Sequence, residues 1–167
     1  MMKTLKVWPI ILPALFLTAC SELETKNDGE FMFGNLYADS MESGESYYMV
    51  LPIEWTGEEP ASITSIDLIK EDGAPVTFEE DGIAYKFFGA DPLKETGIYS
   101  GDRNLGKVKD IHGFKVQGES RIAAEIQLGE VKEDESREAK VTYKIGGEEY
   151  EEVVEWDTFA ELSSNSQ

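Results

Sequence analysis

Cysteine and histidine are almost missing from this chain, which has one of each, Cys20 and His112, in 167 residues. A single cysteine excludes an internal disulfide, and this pair cannot supply the ligands of a usual zinc site. A Ser-His-Asp or Cys-His catalytic site would depend on His112. Because Ile111-His112-Gly113-Phe114 is typical of a strand or turn, we expect a structural or solvent-facing histidine, with no metal and no cofactor.

Basic residues are also scarce, since 15 lysines and arginines face 34 acidic residues, for a formal net charge of −19. A protein of this charge should not bind nucleic acid, which requires clustered basic side chains. A phosphate-binding loop is not expected either, because the glycine-containing stretch 101–106 has neither the P-loop lysine nor a strand-to-helix context. The composition therefore favours a protein that is not an enzyme.

Long hydrophobic runs are absent except near the N-terminus, where Val7 to Ala19 is almost wholly apolar. These thirteen residues are too few to span a hydrocarbon core, which needs roughly 20. Lys3 and Lys6 precede the run, and small residues end it. A basic segment, a short apolar segment and a small-residue end are typical of an export signal, here residues 1–19.

The apolar run ends in Leu17-Thr18-Ala19-Cys20. This sequence resembles the lipobox of bacterial lipoproteins at all four positions, with Leu17, Thr18 and Ala19 as the signal peptidase II recognition residues. The resemblance implies that the Cys20 thiol receives a diacylglyceryl group and that cleavage falls just before it. A thiolate is a good nucleophile, and two acyl chains suffice for firm anchoring where one does not. The implied location is the extracytoplasmic face of the cell membrane.

The mature chain would keep 148 residues and, having lost two lysines, a formal charge of −21. We expect residues 20–46 to form a tether, with a first strand possible at Phe31 to Tyr37. Anionic headgroups should repel so acidic a domain, so the lipid on Cys20 is its expected link to the membrane. An exported domain without disulfides favours a Gram-positive source.

From residue 47 the apolar period is two rather than 3.6, and turn signals recur every eight to twelve residues. Seven or eight short strands are predicted, one of them carrying Val76 and Phe78, with a helical turn after Asp157. This pattern predicts an antiparallel β-sandwich with an Ig-like layout over residues 47–162, and a disordered tail at 163–167. Trp55 and Trp156 are its expected core anchors.

The C-terminal hairpin is predicted in most detail. Gly146-Gly147 suits a two-residue turn with positive φ, which pairs Tyr143 with Tyr150 and places Lys144 opposite Glu149. Glu152 is the one charged residue that this register places on the apolar face.

Three alternatives stay open for function. The leading hypothesis is a non-enzymatic binding module with a protein partner in the cell envelope. Tyr47-Tyr48 and Phe87-Phe88 send one ring to each strand face, which indicates either a covered second face or an exposed patch for that partner. A carboxylate-dependent hydrolase and a calcium-responsive module are the rivals. Oxygen ligands for calcium would come from turns and one long loop: Asp72, Asp81, Asp91, Asp102 and Asn104.

Overall fold

The computed structural model describes residues 29–37, 41–100 and 106–165. Within them the chain forms ten strands and two helices of a single turn, and the strands build two antiparallel sheets. The elements are β1 (Phe31–Phe33), β2 (Ser46–Trp55), β3 (Ala61–Lys70), α1 (Phe78–Asp81), β4 (Ile83–Ala90), β5 (Gly97–Ser100), β6 (Lys109–Asp110), β7 (Phe114–Val116), β8 (Gly118–Leu128), β9 (Arg137–Ile145), β10 (Glu148–Glu155) and α2 (Asp157–Ala160). The predicted antiparallel β-sandwich is confirmed. Strands of only two to four residues bring the count above the seven or eight expected.

The larger sheet has the order β1-β2-β8-β4-β6, and β5 also pairs with β2. The smaller sheet has the order β10-β9-β3-β7. All ten residues of β2 pair with β8 on one side, so β1 and β5 share the other edge of β2. Pro52 lies on that edge between the two short strands, and its carbonyl accepts a hydrogen bond from Gly34. A residue without an N–H is tolerated there because no strand opposite needs the donor.

The core lies between the two sheets, where the alternating apolar residues of β2, β3, β8 and β9 meet. Trp55 and Trp156 are 2% and 1% exposed, so both predicted core anchors are confirmed. The Trp156 ring packs against Phe33, Phe87 and Phe159, with ring centroids 4.3, 5.8 and 4.7 Å away. Rings from the larger sheet and from α2 therefore meet at one side chain, which directly follows β10 of the smaller sheet.

The C-terminal hairpin has the predicted register. Gly146 and Gly147 adopt φ values of 59° and 96°, which a two-residue turn requires and which side chains disfavour. Tyr143 lies opposite Tyr150, and their rings stack with centroids 5.7 Å apart. On the outer face the Lys144 ammonium lies 3.5 Å from the Glu149 carboxylate.

Two segments differ from the prediction. Phe78 does not continue a strand but begins α1, because Thr77 caps the turn by accepting a hydrogen bond from the Glu80 N–H and Gly82 ends it at φ 71°. Ser164 and Asn165, expected in the tail, hydrogen-bond through their backbone N–H groups to the carbonyls of Val131 and Met41. The described sandwich thus includes β1, and its backbone hydrogen bonds reach Asn165. The expected turn after Asp157 is α2.

Candidate interaction surfaces

The four lipobox residues, Leu17 to Cys20, lie outside the described residues, and the structure describes the chain from Gly29 onward. The chain enters the sandwich at β1, where Phe31 pairs with Trp55. We call this the anchor end; the turn 56–60 and the Gly146–Gly147 turn lie at the same end. The ten residues of β2 lead from this end to the opposite end of the sandwich, about 30 Å away, which we call the far end.

Strand β1 is held by a carboxylate that looked misplaced in the sequence. Both oxygens of Glu152 accept the Phe31 N–H, at 3.1 and 3.2 Å. Burial raises the pKa of Glu152, and this hydrogen bond offsets part of the rise. The Phe31 ring lies 4.8 Å from that of Trp55 and 5.1 Å from that of Tyr143. The strand leading to Cys20 is thus fastened to both sheets.

The aromatic pairs divide as expected between the two faces of the larger sheet. Tyr47 and Phe87 are buried in the core, while Tyr48 and Phe88 lie on the outer face and are partly buried. On that face Val50 and Ala123 lie between them, and both are 0% exposed. Outward-facing residues so deeply buried favour a covered second face over an open patch.

The far end is built around a buried arginine that the sequence analysis did not single out. Arg137 is 3% exposed, and its Nη1 donates to the carbonyls of Phe159 and Leu162, each at 3.1 Å. Its Nη2 donates to the carbonyl of Lys132 at 2.6 Å. Burial lowers the pKa of Arg137, and the charge of Asp134 counteracts it. One guanidinium therefore holds the segment before β9, α2 and the residues after α2 in place.

A cleft of about 460 Å³ opens beside this arginine at the far end. It lies where β9 begins and β10 ends, against α2. Six carboxylates line it: Glu71, Glu135, Glu138, Glu155, Asp157 and Glu161. Arg137 is the one basic residue in the described lining, so the cleft is net negative and suits a cationic group. Glu152, whose pKa burial raises, lies outside this lining, at β1.

The oxygen atoms considered for calcium are engaged in turns. Asp72 accepts the Ala74 N–H and Asp91 accepts the Leu93 N–H, both at 2.9 Å, which is ordinary turn chemistry. Asp81 pairs with Lys70 at 2.8 Å and so raises the pKa of that lysine. Among the described residues no group of three or more metal-ligating side chains converges. Asp102 and Asn104 lie outside those residues.

His112 is exposed, and its backbone N–H donates to the Asp110 carboxylate at 3.0 Å. This is a local turn contact, as the sequence around the histidine suggested.

Comparison with protein families gives no matching family, and comparison with curated proteins finds none similar. Over the part of the chain that the structure describes, no helix has the length and apolar character needed to cross a membrane.

Proposed function

We propose that this protein is a lipid-anchored domain of the bacterial cell envelope that acts by binding a partner rather than by catalysis. The observation that carries the proposal is Leu17-Thr18-Ala19-Cys20, a full lipobox match that ends in the one cysteine of the chain. Diacylation of Cys20 and cleavage before it would leave the domain on the extracytoplasmic face of the membrane.

The geometry supports this arrangement. Ten residues lie between Cys20 and Phe31, so the eleven Cα–Cα steps bound the tether at roughly 35–40 Å. The tether joins β1 at the anchor end, so the acidic cleft beside Arg137 lies at the end that can be held away from the membrane. A cationic surface of an envelope protein is the partner that this cleft suits, because charge complementarity speeds encounter and selects orientation.

The anchor is tested by growing cells that express the wild type or Cys20→Ser with radiolabelled palmitate. The wild type should be labelled and stay in the membrane fraction, since its lipid is the expected attachment. Cys20→Ser should carry no label and should accumulate as uncleaved precursor. A processed, membrane-bound Cys20→Ser chain would overturn the proposal.

The partner surface is tested by placing a photocrosslinking amino acid at Glu161 in the cleft and, as a control, at Glu119 on the larger sheet. Both positions are exposed glutamates, and Glu119 lies far from α2. Crosslinking in intact cells should give a discrete adduct from position 161 and none from 119. Equal patterns from both positions would contradict a partner at the cleft.

A further inference from the structure

The smaller sheet ends in a strand that has no neighbour on its outer side within the described residues. The outermost strands of the two sheets are β1, β6, β7 and β10. Strand β10 has eight residues, whereas the other three have two or three. Strand β1 meets β10 through the Glu152 side chain, which accepts the Phe31 N–H, and does not pair with the β10 backbone. The outer side of β10, which we call the β10 edge, is therefore a long open strand edge.

The hairpin register determines which backbone groups line the β10 edge. A two-residue turn makes Ile145 and Glu148 a hydrogen-bonded pair, so every second residue of β10 counted from Glu148 bonds to β9. The residues between them turn their N–H and C=O groups to the edge: Glu149, Glu151, Val153 and Glu155. In the described structure no hydrogen bond uses these groups. They extend over about 20 Å, long enough for one more strand.

The side chains of these four edge residues are exposed, that of Val153 to 51%. An open edge of this kind is a template for pairing with another strand. Pairing with the β10 edge of a second copy is disfavoured, because glutamates of both copies would then lie close together. A strand of the opposite charge meets no such repulsion.

The charges on and beside the edge sum to a negative value. Strands β9 and β10 carry six glutamates against one arginine and two lysines, a net charge of −3. The two lysines of β9 lie 3.5 and 3.8 Å from Glu149 and Glu151, in exposed pairs that contribute little. Glu155 lies opposite Glu138 and has no basic partner among the described residues.

The charged residues next to β10 on its open side are acidic too. The charge of Glu30 acts on Glu152, and Asp157 follows β10 directly. Glu155 belongs both to the β10 edge and to the lining of the acidic cleft at the far end. The edge and the cleft are therefore one continuous acidic surface, and basic side chains complement it.

We propose that the β10 edge binds an extended segment of an envelope protein that carries lysine or arginine, and that this segment adds an antiparallel strand to the smaller sheet. The inference deepens the proposed partner binding at the cleft and rests on it. Main-chain hydrogen bonds to the four edge residues would supply affinity, and the side chains opposite them would supply selectivity. The same segment can continue past Glu155 into the cleft.

The register predicts the sequence pattern of the segment. Read from its N-terminus, it has a basic residue opposite Glu155, an apolar residue opposite Val153, and basic residues opposite Glu151 and Glu149. These positions are two residues apart, because alternate residues share a face. The heptapeptide Lys-Thr-Val-Thr-Lys-Thr-Lys fits this pattern and serves as the probe.

The test adds the heptapeptide to the purified protein at low ionic strength and follows amide hydrogen exchange by NMR. The four edge amides should exchange fast in the free protein and slowly in the complex. A heptapeptide N-methylated at the valine and the second lysine keeps its charges but loses two donors to β10. It should bind weaker by about tenfold or more. Glu-Thr-Val-Thr-Glu-Thr-Glu should not bind.

A protein variant tests the same edge from the other side. Val153→Pro removes one N–H that points away from β9 and so leaves the hairpin ladder intact. It should lose peptide binding, while the control Val153→Thr should keep it. Circular dichroism shows whether each variant is folded; if Val153→Pro is not, the N-methylated peptide on the wild type decides.

Equal affinity for the plain and the N-methylated peptides would overturn the inference, as would a bound peptide that leaves the four edge amides unprotected. Failure of the proposed function is seen separately in the crosslinking at position 161. A discrete adduct there, together with an unprotected β10 edge, would overturn strand addition alone and leave the cleft as the partner site.

Discussion

Replacing Arg137 with methionine should be among the most costly single changes in this domain. The variant keeps a side chain of similar length but removes the donors that reach the carbonyls of Phe159, Leu162 and Lys132. The first two of these hydrogen bonds are buried, and each acceptor left unpaired costs about 1–3 kcal/mol. Relief from burying a charge offsets part of this loss. We therefore expect Arg137→Met to lower the free energy of unfolding by about 2–4 kcal/mol.

Thermal unfolding followed by circular dichroism measures the effect. For a domain of this size the change corresponds to a Tm lower by roughly 5–15 °C. Lys140→Met is the matched control on the same strand, because Lys140 is partly exposed and its contact with Glu151 is a loose 3.8 Å ion pair. That variant should stay within about 0.5 kcal/mol of the wild type. An Arg137→Met protein as stable as the Lys140→Met protein would refute the view that this guanidinium holds the far end together.

Two further changes test the packing at β1 and at β4. Because the pKa of Glu152 is raised in the fold, protonation of this carboxyl favours the native state, and the stability is lost as pH rises from the ordinary glutamate pKa through the raised one. Glu152→Gln keeps an acceptor for the Phe31 N–H but cannot be ionised. The variant should therefore lose the part of the pH dependence of stability that Glu152 contributes. Urea unfolding at several pH values measures this, and a variant with an unchanged pH profile would argue against it. Gly89→Ala would place a methyl carbon about 2.2 Å from the Phe114 ring and should cost about 1–3 kcal/mol; no loss on urea unfolding would contradict the close packing.

Much of the sandwich could be predicted because its local signals agree with its long-range pairing. Gly146-Gly147 determines one register, and that register sorts apolar from charged side chains on both strands. A helix signal was also present in the sequence, since Thr77 can cap a turn by accepting the Glu80 N–H and Gly82 can end it. The alternation of Val76 and Phe78 favoured a strand instead.

The candidate surfaces were harder to predict, because they depend on which segments meet. Arg137 stands in a charged stretch and looks like a solvated residue until α2 closes over it. Glu152 looked out of place until β1 supplied the Phe31 N–H. In each case the partner lies far away in sequence.

The anchor at Cys20 is the central claim, and mass spectrometry of the protein extracted from membranes tests it most directly. The chain should begin at Cys20, and its N-terminal peptide should carry the mass of a diacylglyceryl group on that residue. An N-terminus elsewhere, or an unmodified Cys20 in the membrane-extracted chain, would contradict the account.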